Sequence, residues 1–103
     1  MENESLQLGG NIQLKGFSTL EPSKLIVVKK IIGNYTKRFS EATDNFQEIT
    51  LTLKSIHGEQ SNNFEMKAKL LANGGPFTSE INDRNIFFGI DKVLKNIEEQ
   101  VSK

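Results

Sequence analysis

Near the end of the chain, Ile86, Ile90, Val93, Leu94, Ile97 and Val101 recur at steps of three and four. That spacing gathers them on one side of an α-helix, and such a helix holds in water only if another element covers its apolar stripe. The rest of the chain offers runs of period two as the cover. Ile12 and Leu14 alternate with Gln13 and Lys15, and Ile49, Leu51 and Leu53 alternate with Thr50, Thr52 and Lys54. Phe64, Met66, Ala68 and Leu70 alternate with Glu65, Lys67 and Lys69, and Phe77, Ser79 and Ile81 make a fourth, edge run. Each has one apolar and one polar face, so each predicts a strand with one side wet.

A second helix is predicted from about Pro22 to Phe39. Pro22 suits a first helical turn, and Leu25, Val28, Ile32, Tyr35 and Phe39 form its stripe. The β-branched residues at 26–28 and 31–32 make a strand over 25–32 the rival reading, and the long three-four period decides for helix. Asn73-Gly74-Gly75-Pro76 predicts a hairpin turn, with both glycines supplying positive φ, and Asn82 or Asp83 is the expected cap of the last helix. The fold class expected is α+β, in the order β-α-β-β-β-α: a four-stranded sheet with two helices packed on one face. The first strand–helix–strand unit should be parallel and right-handed. Residues 1–10 are expected to be a short flexible tail and residues 11–103 a single domain.

Composition narrows the chemistry. The 103 residues include no cysteine, which removes disulfides, thiolate metal sites and cysteine nucleophiles. No run approaches the roughly 18 apolar residues of a membrane span, and the acidic start Met1-Glu2-Asn3-Glu4-Ser5 is the opposite of a secretory signal. A cytoplasmic location is expected. The lone histidine, His57, falls in a polar stretch between strands with no orienting carboxylate in view, and its leading functional role is a phosphate or partner contact. Leu8-Gly9-Gly10 and Gly74-Gly75 do not link a strand to a helix as a phosphate loop would. Asp91, Glu98 and Glu99 read as the wet side of a helix. No enzyme, metal, cofactor or small-molecule substrate is expected.

The basic residues carry more information. Thirteen Lys and Arg balance thirteen Asp and Glu, yet Lys24, Lys29, Lys30, Lys37 and Arg38 all lie between Pro22 and Phe39, where there is no carboxylate. Local field matters more to a polyanion than net charge does. At 100° per residue, Lys30 and Lys37 share one flank away from the stripe, Lys24 and Arg38 border it on one side, and Lys29 borders it on the other. On the last helix Arg84, Lys92, Lys95 and Lys103 face solvent among Asp91 and Glu99. Side by side, the two helices would frame a partly basic groove suited to the shape of structured RNA. Phe88 projects opposite Ile86 and Ile90, either free for a base or a partner pocket or, the preferred reading, folded back on the neighbouring helix.

The segment Asn85-Ile86-Phe87-Phe88-Gly89-Ile90-Asp91-Lys92-Val93-Leu94-Lys95-Asn96-Ile97-Glu98-Glu99-Gln100-Val101 resembles the closing helix of the ribosome hibernation promoting factors, ribosome-associated inhibitor A included. In that family an aromatic and small residues lead into Ala-Ile-Asp, then Lys-Leu and a Gln-Leu-Lys close. The lysine-bearing first helix, His57 between the second and third strands, and the Gly74-Gly75 hairpin extend the resemblance through most of the chain from Asn11. It implies binding to small-subunit ribosomal RNA in the channel between head and body, which blocks messenger and transfer RNA. By position it points to Lys30, Lys37 and Arg38 on one helix and Lys92 and Lys95 on the other. Glu98 and Glu99 stand where the family has a basic residue before the Gln, and Gly89 replaces its alanine. The long form's C-terminal dimerisation domain does not follow, so a free monomer without self-driven ribosome pairing is expected. The alternative is a protein-interaction module of the same fold with a reduced RNA surface.

Overall fold

A computed structural model describes residues 5–8, 11–57 and 62–101, with the side chains of 5–8, His57 and Asn62 excepted. The elements run β1 (Ser5–Leu8), β2 (Ile12–Lys15), α1 (Pro22–Ala42), β3 (Glu48–His57), β4 (Asn62–Leu71), β5 (Phe77–Asp83) and α2 (Ile86–Val101). The β-α-β-β-β-α order is present as β2-α1-β3-β4-β5-α2. In front of it Ser5–Leu8, expected within a tail, pairs antiparallel with β2 and makes a fifth strand. Residues 1–4, Gly9-Gly10, 58–61, the His57 imidazole and Lys103 lie outside the described residues.

The sheet runs β1-β2-β3-β4-β5, so α1 carries the chain across to a parallel β2–β3 pair while the other pairs are antiparallel. Both helices cover one face. Leu14, Ile49, Leu51, Leu53, Met66, Ala68 and Leu70 from the strands meet Val28, Ile32, Tyr35 and Phe39 of α1 and Ile86, Ile90, Val93, Leu94 and Ile97 of α2 in one core. The period-two and three-four patterns are thus both satisfied, each fully buried Val, Leu, Ile, Phe or Met side chain contributing about 1.5–3 kcal/mol. Phe17, which no periodic run includes, is fully buried as well. It turns inward because Gly16 takes φ +81°, and a Cβ there would run into the Leu53 carbonyl.

The other face of the sheet stays open. It forms a trough of about 660 Å³ lined by Lys15, Thr50, Thr52, Lys67, Lys69 and Glu80 among others. Register sets Lys15 opposite Thr52, Thr52 opposite Lys67 and Lys67 opposite Glu80, so charges of both signs interleave, and no aromatic ring lines the trough among the described residues.

The structure corrects the expected ends of several elements. β3 and β4 pair as far as His57 and Asn62, so His57 closes a long hairpin instead of lying in a loop. β5 continues through Asn82 and Asp83, which therefore do not cap α2 directly. The cap is Asn85, whose Oδ1 accepts the Phe88 N–H at 2.9 Å, while Asp83 Oδ1 accepts the Asn85 N–H at 2.8 Å. At the β4–β5 turn only Gly74 takes positive φ, and the Gly75–Pro76 bond is cis. α1 extends to Ala42, where Thr43 closes it by donating both its N–H and its hydroxyl to the Phe39 carbonyl. No described helix is long and apolar enough to cross a membrane, and no group of three or more His, Asp and Glu among the described residues could hold a metal.

Candidate nucleic-acid interface

Burying Val28, Ile32, Tyr35 and Phe39 fixes the rotation of α1, and rotation decides what its cations face. Lys24, Lys29, Lys30 and Lys37 are all exposed, and none forms an ion pair with a described residue. Lys30 and Lys37 lie directly opposite the core, seven residues or about 10.5 Å apart along the axis. Ile26 and Gly33 stand in the same outward row. Lys24 and Lys29 are exposed at the two borders of the buried stripe, so Lys30 and Lys37 are the cations that face directly outward.

Arg38 has a different setting. Its Nε donates to Glu98 Oε2 at 2.7 Å, with Nη2 a longer 3.5 Å from Oε1. Its guanidinium carbon lies 4.3 Å from the centre of the Tyr35 ring. The hydrogen bond to Glu98 raises the arginine pKa further, so the cation is permanent, but its charge is answered across the helix–helix seam. One helical turn away, the Tyr35 hydroxyl donates to Asp91 Oδ1 at 2.9 Å. Burial first, and then the bond to the Asp91 carboxylate, push the Tyr35 pKa up to about 12. The expected basic groove between the helices is therefore a closed seam with its charges paired.

On α2, Lys92 and Lys95 are exposed beside exposed Asp91 and Glu99. Phe88 is 57% exposed and is not one of the apolar side chains packed against the core, contrary to the fold-back expected for it. Instead Lys92 Nζ sits 5.2 Å above its ring. The residues that carried the likeness of the final segment do structural work. Asp91 ties α2 to α1, Gln100 donates to the Thr78 carbonyl at 2.7 Å, and Asn96 donates to Ser79 at 3.2 Å, holding α2 to β5. Gly89 lets α2 approach the sheet closely, since a Cβ there would meet the Met66 sulfur at 2.7 Å. Sequence reasoning missed the exposed Ile26 and Val27 of α1, although the helical wheel that isolates Lys30 and Lys37 also places Ile26 beside them.

This two-layer arrangement, a mixed sheet under two parallel-running helices, is shared with solved structures of very different sequence. A ribosomal subunit interface protein from Coxiella burnetii superposes with a TM-score of 0.59 at 10% identity, covering 89% of this chain and 91% of that one. The N-terminal domain of Thermus thermophilus Protein Y superposes with a TM-score of 0.53 at 15% identity, covering 88% of this chain and 91% of that one. At such identities the likeness establishes the fold, and the resemblance to hibernation factors is met at that level. No family model matches the sequence, and no curated protein matches it.

Proposed function

We propose that this protein is a non-enzymatic, cytoplasmic ribosome-associated factor, monomeric when free, that binds small-subunit ribosomal RNA and blocks the messenger and transfer RNA channel. The observation that carries the reading is α1 itself: Lys30 and Lys37 face outward, Lys24 and Lys29 are exposed at the borders of its stripe, none of the four has an ion pair to a described residue, and no carboxylate lies between Pro22 and Phe39. Lysines of this kind bind phosphates by releasing condensed counterions, a sequence-independent attraction that weakens steeply with salt. A rigid helix presenting them suits the backbone shape of folded RNA better than its base edges. The shared fold supports the choice of a ribosomal target over RNA at large.

Co-sedimentation with isolated small subunits across a salt series tests the proposal, alongside titration into a cell-free translation reaction. Saturable binding that falls with salt, and inhibition relieved by added subunits, are expected. No binding at low salt would refute the reading. A second reading, a protein-interaction module, draws on the exposed ring of Phe88. It predicts binding that survives both high salt and ribonuclease and is lost in Phe88→Ala.

A further inference from the structure

Three helical or turn glycines can be compared by what a side chain there would meet. Gly16 is required by its positive φ and by the Leu53 carbonyl, and Gly89 by the packing of α2 on Met66. Gly33 is required by neither: it sits in mid-helix, its φ is ordinary, and a Cβ would have nothing within 4 Å. The fold would be better served by alanine, since glycine inside a helix is destabilising. What glycine does provide is closeness, because a surface resting on the helix there meets backbone instead of side chain.

Gly33 lies between Lys30 and Lys37 on the outward row of α1. The two lysines stand about 10.5 Å apart along the axis, with a notch between them. A strand carrying negative charge along its length is the object that fills a notch flanked by two ammonium groups. Ile26, 67% exposed in the same row, adds apolar surface that the carbons of a sugar ring can cover. We infer that a single sugar–phosphate strand of RNA crosses α1 at Gly33, lying against the bare helix backbone with Lys30 and Lys37 on its two sides. The inference rests on the ribosomal reading above and gives its contact a place and a depth.

The test sets stability against affinity in Gly33→Ala and Gly33→Leu. Gly33→Ala should raise the melting temperature by roughly 3–6 °C, because helix propensity improves and nothing clashes. Its affinity for small subunits should nevertheless fall roughly tenfold, and that of Gly33→Leu roughly a hundredfold, as the added carbons hold the strand away from the helix. Wild-type affinity in both variants, with Lys30→Glu/Lys37→Glu still impaired, would overturn the crossing at Gly33 and leave the ribosomal reading standing. Absence of subunit binding by the wild-type protein would overturn both.

Discussion

The outer face of α1 and the seam between α1 and α2 draw cations from the same helix and leave them in opposite states. On the outer face Lys30 and Lys37 point away from the core and form no ion pair with a described carboxylate. In the seam Arg38 is held by Glu98 and laid on Tyr35, while Asp91 takes the Tyr35 proton-donor bond. Lys37 and Arg38 are adjacent in the chain, and a 100° step is enough to turn an outward charge into one paired within the fold. Counting basic residues on a helix therefore overstates what it can offer a polyanion. Their angle to the neighbouring helix decides.

The contrast can be broken most forcefully from the outer face. Lys30→Glu/Lys37→Glu should lower small-subunit affinity by roughly a hundredfold or more at moderate salt. Its melting temperature should stay near the wild-type value, because both side chains are exposed and neither forms an ion pair with a described residue. A folded double variant that sediments with subunits as well as wild type would remove the outer face from the site. The seam should respond in the opposite direction. Glu98→Gln strips the carboxylate from Arg38 and frees its guanidinium, so affinity should rise roughly threefold to tenfold. A loss of affinity there would mean that Glu98 itself serves the partner.

Smaller effects separate structure from binding inside the seam. Tyr35→Phe removes one hydrogen bond to Asp91 and should lower stability by about 1 kcal/mol in chemical denaturation, with subunit affinity unchanged. The same bond predicts a pH effect. The Tyr35 pKa is raised from 10.0 to about 12 in the folded protein, so the unfolded chain loses its phenolic proton first. This contribution to stability is present in full below pH 10 and is lost as pH rises from 10 to about 12. Ultraviolet titration of the sole tyrosine should show a midpoint near the upper value, and an ordinary midpoint would contradict the buried bond.

Local pattern was enough to order the elements, because each stripe and each alternation is a short-range property of neighbouring residues. It placed Lys30 and Lys37 outside for the same reason. It did not include Phe17, whose burial comes from the Gly16 turn, nor the reach of β3 and β4 to His57 and Asn62, because Ser55 and His57 break the apolar alternation of Ile49, Leu51 and Leu53. The strand at Ser5–Leu8 is four residues long and gains its definition only from pairing with β2. Arg38 and Glu98 are 60 residues apart, and Tyr35 and Asp91 are 56 apart, so their union depends on how two helices are rotated on the sheet. Glu98 and Glu99 looked alike in the sequence. In the fold one answers Arg38, and the other stays on the exposed side of α2.

The most direct test is the salt dependence of small-subunit binding, measured for the wild-type protein and for Lys30→Ala/Lys37→Ala. If both lysines neutralise phosphates, the log–log slope against salt should become shallower by about two in the double variant. An unchanged slope with unchanged affinity would contradict the account, because the outer face of α1 would then lie outside the bound surface.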